Sequence, residues 1–184
     1  MYDNEPLDFC RVKKIFDKGF GFLTSLYYDE PVFFHFNKVK DPSVKEKLEK
    51  LKRGEVYFFF TSILYKGRRR VYKLWLDVKD IEKQLIPGFI ERIIEELNSG
   101  TINIFELTRV LQFFRDEGLL TNEQLLKSLS SSKLLKTPSA VLTILNKKEK
   151  KEKEELEKLL HEYEEKGISK DQWLSSTLNI LIKE

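Results

Sequence analysis

The chain has 184 residues, of which 41% are hydrophobic and 34% charged, and its formal net charge is +3. This length fits one ordinary domain or two small ones with a packed core. The single cysteine, Cys10, excludes an internal disulfide and a cysteine-rich zinc site. No apolar run approaches the ~20 residues that span a bilayer, and the polar, acidic first residues are not typical of a signal peptide. We therefore expect a soluble cytoplasmic protein.

The charge is distributed unevenly along the chain. Residues 1–84 contain 18 Lys and Arg against 13 Asp and Glu, a net charge of +5. Residues 85–184 contain 15 against 17, a net charge of −2, so the two halves sum to +3. The mild basic excess in the first half has the sign expected of a phosphate-binding surface.

Residues 9–84 are predicted to form a β-rich domain. Strands are expected at 9–16, 20–25, 32–36, 56–60 and 71–78, and a basic hairpin tip at 66–70. Between the third and fourth strands, Val44, Leu48 and Leu51 follow helical spacing behind Pro42. Five short strands with a helical connection indicate a small barrel, because closure protects the strand edges. The oligonucleotide-binding barrel is the five-stranded member of this group.

Two aromatic segments, KGFGFL at 18–23 and VFFHF at 32–36, suggest a binding surface. Side chains alternate along a strand, so Phe20 and Phe22 share one face of the first segment. Phe33 and His35 likewise share a face of the second, whereas Phe34 is expected in the core. If the strands are neighbours, these four rings form a platform for unpaired bases. A core role for Phe20, Phe22, Phe33 and Phe58 is the alternative.

The two segments resemble the first and second ribonucleoprotein motifs of the cold-shock domain family, and the resemblance covers roughly residues 9–80. It implies an oligonucleotide-binding barrel that stacks single-stranded RNA or DNA on Phe20, Phe22, Phe33 and His35, with Phe36 at their edge. The family's first-strand tryptophan is missing, and Lys14 or Ile15 stands near its place. The loop after the third strand also lacks the aromatic residue that often completes the platform.

Basic residues beside the aromatic segments are expected to contact phosphates. Those predicted to bind nucleic acid are Lys13, Lys14, Lys18, Arg68 and Arg70. The three arginines 68–70 are most simply interpreted as a solvated turn. Consecutive residues of a hairpin cannot all reach one strand of phosphates, so at most one or two of them would contact nucleic acid. Fewer stacked bases and more backbone contacts predict weak sequence preference and strong salt dependence.

Residues 85–184 are predicted to form an all-α domain of about five or six helices. Ile90, Ile93, Ile94 and Leu97 follow the spacing of an amphipathic helix. Thr121 and Gln124 fit a capping box, as do Asn103 and Glu106 in the preceding helix. No family is recognised in this half, and we expect it to bind a protein partner or a second copy of the chain.

The sequence carries no recognisable catalytic or cofactor motif. Cys10 has no identifiable base, and Gly19 and Gly21 lack the spacing of a phosphate-binding loop. His161 lies among glutamates without a second histidine nearby, so no metal site is predicted. We expect a non-enzymatic protein that binds single-stranded nucleic acid, with RNA favoured over DNA. The alternative is an accessory protein-interaction subunit of a larger ribonucleoprotein or defence complex.

Overall fold

A computed structural model describes residues 4–12, 19–50 and 56–137, and also residues 140, 143, 144, 157, 158, 161 and 165. The chain divides into two compact units, Met1–Arg92 and Ile93–Glu184. No helix among the described residues is long and apolar enough to cross a membrane.

The first unit contains a curled mixed sheet, a half-barrel. Its strands, in the described part of the unit, are β1 (Asp8–Val12), β2 (Phe20–Leu23), β3 (Val32–His35), β4 (Val56–Tyr65) and β5 (Arg68–Trp75). Their order across the sheet is β1-β4-β5-β3-β2. The β3–β5 pair is parallel and the other pairs are antiparallel. Helix α1 (Pro42–Lys50) connects β3 to β4, which confirms the predicted arrangement of strands and connecting helix.

The hydrophobic core of this unit lies inside the curl of the sheet. Phe34, Phe58 and Phe60 are almost completely buried there, and Leu48 of α1 packs into the same cluster. The opposite face of β4 is buried as well, because Phe59 packs edge-on against Phe89 at a centroid distance of 6.2 Å. Both sides of β4 are therefore covered, which explains its nearly continuous apolar sequence.

Side-chain hydrogen bonds link β1 to the segment that follows β2. The buried carboxylate of Asp8 accepts hydrogen bonds from the Ser25 hydroxyl at 2.5 Å and from the backbone N–H of Leu26 at 2.9 Å. Cys10 Sγ lies 3.4 Å from Thr24 Oγ1. Burial raises the pKa of Asp8 to about 6, although these hydrogen bonds act in the opposite direction. Asp8 therefore helps to hold the sheet in its curl.

The hairpin between β4 and β5 is tighter than the predicted tip at 66–70. Lys66 and Gly67 have φ values of 48° and 73°, and Tyr65 pairs directly with Arg68. This is a two-residue turn in which both central residues have positive φ, so the strands continue up to it. The prediction that the three arginines form the tip was wrong, because all of them belong to β5.

The second unit is helical in its described part, as predicted. It contains the C-terminal portion of α2 (Ile86–Ser99), then α3 (Ile104–Asp116), α4 (Asn122–Leu129) and α5 (Ser132–Lys136). The predicted capping box is confirmed at α4, where the Thr121 side chain accepts from the Gln124 N–H and Gln124 accepts from the Thr121 N–H. The helices predicted beyond residue 137 lie largely outside the described residues.

Candidate functional site

Four aromatic side chains occupy one face of the β2–β3 pair. Phe20 lies opposite His35, and Phe22 opposite Phe33. The centroid of the Phe33 ring is 6.2 Å from that of Phe20, 5.7 Å from that of Phe22 and 6.3 Å from the imidazole centroid of His35. The strand register therefore brings together the four rings that were predicted to share a surface. We call Phe20, Phe22, Phe33 and His35 the aromatic face.

The aromatic face is open to solvent on its β2 side. Phe22 is 59% exposed and Phe20 is 39% exposed, whereas Phe33 and His35 are half-buried. By contrast, Phe34 and Phe58 are buried in the core, at 2% and 1%. A core role was the alternative prediction for Phe20, Phe22, Phe33 and Phe58. Of these four, Phe58 is a core residue and the other three are not.

His35 has a fixed orientation on this face. Its Nδ1 accepts a hydrogen bond from the Asn37 backbone N–H at 3.0 Å, at the start of a 3₁₀ turn (Phe36–Lys38). With Nδ1 accepting, the proton of a neutral imidazole lies on Nε2. The imidazole plane is nearly parallel to the Phe20 ring, at 7°. The hydrogen bond therefore holds the imidazole as a flat surface beside Phe20.

A β-bulge places Arg70 beside the aromatic face. Thr61 pairs with Lys73 but Ser62 pairs with Val71, so Tyr72 is an extra residue in β5. Leu74 and Val71 both pack against the core in spite of their odd spacing. If side chains alternated strictly along β5 from Leu74, the Arg70 side chain would face the core. The extra residue at the bulge shifts the alternation by one, so Arg70 lies on the opposite face of the sheet. The Arg70 guanidinium carbon consequently lies 5.9 Å from the Phe33 ring centroid and 5.0 Å from that of Tyr65.

Neighbouring arginines of β5 have different surroundings. Arg69 is tied to the loop before β3: its guanidinium lies 3.4 Å from the Tyr28 ring centroid and its Nε donates to Glu30 at 3.2 Å. Arg70 has no ion pair among the described residues, and its buried Nε has no hydrogen-bond acceptor there. Arg68 is exposed opposite Tyr65. Arg70 and Arg68 are thus the arginines available to an anionic ligand.

A groove of about 470 Å³ adjoins the aromatic face. Phe33 and His35 form its end on the aromatic side, and Tyr65 and Arg70 lie along it. Its lining continues through Tyr72, Lys73 and Trp75 of β5 and includes Glu82. Its volume is within the range of about 300–1,000 Å³ that is usual for ligand sites. We refer to it as the β5 groove.

The remaining predicted site residues are placed differently. Phe36 packs at right angles against Phe34, with ring centroids 5.5 Å apart, and beside the core cluster. It lies away from the aromatic face, at whose edge the motif resemblance had placed it. Lys13, Lys14 and Lys18 lie outside the described residues.

Sequence reasoning missed the aromatic residues of the β5 groove. Tyr65 and Tyr72 are 45% and 44% exposed, and Trp75 is half-buried. The exposed rings continue the aromatic surface from β3 onto β4 and β5. The fourth strand has hydrophobic residues on both faces, so its sequence did not show which face is exposed. The bulge at Tyr72 also has no sequence signature. Their proximity to Arg70 is a consequence of tertiary pairing.

No cluster of three or more His, Cys, Asp or Glu side chains suited to a metal ion occurs in the described part of the chain. His161 Nε2 lies 3.2 Å from Glu165 Oε1, one helical turn further on, and both side chains are exposed.

No protein-family model, curated protein or solved structure matches this chain. The geometry of the aromatic face and of the β5 groove is therefore the basis for the functional proposal.

Proposed function

We propose that the first unit binds single-stranded nucleic acid, RNA in preference to DNA, by stacking bases on the aromatic face. The observation that carries this proposal is the exposure of Phe20 and Phe22 beside Phe33 and His35 on one surface of a sheet. Buried aromatic rings would be explained by packing, but adjacent exposed rings leave apolar area in water. Base–aromatic stacking contributes about 1–3 kcal/mol per base and tolerates any sequence.

The charge around the aromatic face supports the same ligand. Arg70 lies at its edge without an ion pair among the described residues, and Arg68 is exposed on the same strand. A guanidinium beside stacked bases can neutralise a phosphate, which makes the affinity depend on salt concentration. Lys13, Lys14 and Lys18 are proposed to add phosphate contacts.

We further propose that the half-barrel is an oligonucleotide-binding barrel of the cold-shock type. The five strands, the helix after the third strand and the hydrogen bonds from β1 to the segment after β2 support this assignment. An oligonucleotide-binding barrel is five-stranded and partly open. The missing first-strand tryptophan leaves β2 and β3 as the main stacking surface.

The test is removal of the two exposed rings. Phe20→Ala combined with Phe22→Ala should weaken binding of a single-stranded RNA at least tenfold, because each lost stack is worth about 1–3 kcal/mol. Binding is measured by fluorescence anisotropy at one fixed salt concentration, with the corresponding DNA in parallel. The matched control is Phe105→Ala in α3, which removes a ring of similar exposure, 50%, from the helical unit. Equal affinity of the double variant and the control would contradict the proposal.

A second candidate function is that of an accessory subunit that contacts protein through its helices. Phe105 supports it, because this aromatic side chain in the first turn of α3 is 50% exposed. The helical unit would then tether the nucleic-acid-binding unit to a protein partner or to a second copy of the chain. A stoichiometric partner that co-purifies after nuclease treatment, and is lost with Phe105→Ala, would support this function.

A further inference from the structure

We propose that the β5 groove is a nucleotide subsite beyond the aromatic face, and that the pair formed by Lys73 and Glu82 reads the base bound there. The proposal rests on the proposed function, because its occupant is the next nucleotide of the strand stacked on the aromatic face. In this proposal the groove distinguishes one base from another, whereas the aromatic face supplies affinity that does not depend on the base.

The groove exists because β3 and β5 separate. In the described part of the chain, the two strands pair at Phe33 of β3 and Arg70 of β5. Beyond that point β3 ends at His35 and the chain turns into the 3₁₀ helix, whereas β5 continues to Trp75. Residues 39–41 form the opposite wall. The open fork therefore begins beside Phe33 of the aromatic face.

Arg70 stands at the entrance of the fork. Its guanidinium lies between the rings of Phe33 and Tyr65, and its buried Nε has no acceptor in the described part of the chain. Arg70 as a whole is only half-buried, so a phosphate that links a nucleotide on Phe33 to one in the groove can accept from the terminal N–H groups of its guanidinium. Guanidinium–phosphate contacts are charge-assisted and fix the orientation of the bound group.

The groove adds a charged pair that can distinguish bases by hydrogen bonding. Glu82 Oε1 accepts from Lys73 Nζ at 2.6 Å, and the two side chains are 34% and 33% exposed. Trp75 and Tyr72 also line the groove. A carboxylate accepts from base amino or imino groups and an ammonium donates to base carbonyls or ring nitrogens. Since the pair is neutral as a whole, it can read a base edge without simply attracting phosphate.

The phenylalanine rings cannot make that distinction. Phe20, Phe22 and Phe33 carry no hydrogen-bonding group, and His35, whose Nδ1 accepts from Asn37, offers a single donor at Nε2. Stacking on them is tolerant of base identity. Selectivity should therefore depend on the Lys73–Glu82 pair, while overall affinity depends on the rings.

The experiment compares affinity with selectivity in the full chain. Dissociation constants are measured for oligo(A), oligo(C) and oligo(U) RNA of equal length at one salt concentration. For the unaltered protein we expect a spread on the order of tenfold among the three. Glu82→Gln and Lys73→Met should each bring the three dissociation constants closer together or change which oligonucleotide binds most tightly. Phe20→Ala with Phe22→Ala should weaken all three oligonucleotides in parallel and keep their ratios.

Matched controls separate the groove from a general loss of charge. Glu30→Gln removes the partner of Arg69, and Lys79→Met removes the partner of Asp77; neither residue lines the groove. Both control variants should keep the spread of the unaltered protein. An equal spread in Glu82→Gln, Lys73→Met and the controls would overturn the groove subsite while leaving stacking on the aromatic face intact. Absence of binding by the unaltered protein would overturn the proposed function as well.

Trp75 gives a second readout. The chain has two tryptophans, so Trp173→Phe leaves Trp75 as the single indole. Occupation of the groove should quench or shift its emission at saturating oligonucleotide, whereas a strand confined to the aromatic face should not. Unchanged Trp75 emission under conditions where anisotropy shows saturation would overturn the proposal.

Discussion

Gly19 shows how one residue shapes the entry into the aromatic face. Its φ of +70° lies in the left-handed region, and its carbonyl accepts from the Phe36 N–H at 2.7 Å. A Cβ on Gly19 would approach the Phe36 ring to 3.3 Å. The backbone therefore bends sharply at Gly19, in a conformation that favours glycine.

Gly19→Ala is expected to destabilise the protein by about 1–2 kcal/mol, because an L-residue resists positive φ. The control is Gly88→Ala near the start of α2, where a Cβ meets nothing within 4 Å and φ is not in the left-handed region. That change should be neutral or stabilise by up to about 1 kcal/mol. Urea unfolding of both variants measures the difference, and equal effects would contradict this account of Gly19.

At the scale of elements, β5 divides its arginines between structure and ligand. Arg69 fastens the strand to Tyr28 and Glu30, and its side chain is 11% exposed. Arg70, on the other side of the strand, lies against Phe33 and Tyr65. A two-residue turn and a bulge determine this division, since together they set which face each arginine occupies.

The matched variants Arg69→Gln and Arg70→Gln should therefore behave differently. Arg70→Gln is expected to weaken RNA binding and to reduce the slope of log K against log[salt] by about 0.7, the loss of one phosphate contact to a single strand. Arg69→Gln should lower the free energy of unfolding by about 1 kcal/mol, because a cation–π contact with little solvent is lost. Its salt slope should stay unchanged. The reverse pattern in salt titrations and urea unfolding would show that the roles are interchanged.

At the scale of the first unit, the raised pKa of Asp8 is expected to make the stability of the fold depend on pH. Its folded-state pKa of about 6 is above the ordinary value of 3.8, with burial as the main cause. A raised carboxyl pKa contributes stability that is full below about pH 4 and is lost as the pH rises through about 6. A difference of about two pKa units corresponds to roughly 3 kcal/mol.

Asp8→Asn keeps an oxygen for the N–H groups of Phe9 and Leu26 but does not titrate. Relative to the unaltered protein, its free energy of unfolding should rise between pH 4 and pH 7, by up to about 3 kcal/mol. Urea unfolding across this range measures the trend. Asp41→Asn is the control. Hydrogen bonds from Ser43 lower the pKa of Asp41, so titration of Asp41 changes the free energy of unfolding below pH 4 and not between pH 4 and pH 7. If the difference in free energy of unfolding between Asp8→Asn and the unaltered protein stayed constant from pH 4 to pH 7, titration of Asp8 would not affect stability and the prediction would be wrong.

For the molecule as a whole, much of the framework was predictable. Alternating aromatics located β2 and β3, and helical spacing behind Pro42 located α1. Caps such as Thr121 located the start of α4. These signals are local, because periodicity and capping depend on residues within a turn or two of each other. The hairpin was misjudged because Lys66, a non-glycine residue, adopts positive φ beside Gly67.

By itself, the sequence determined the shared face of Phe20 and Phe22, and that of Phe33 and His35, since alternation along a strand needs only the chain. The tertiary structure decided that β2 and β3 are neighbours in the register that joins these pairs. It also decided that Arg70, Tyr65 and the Lys73–Glu82 pair lie beside them. Those placements depend on the bulge at Tyr72 and on the short parallel contact between β3 and β5. Pairing between distant segments is set by the packing of the whole sheet, which no local pattern records.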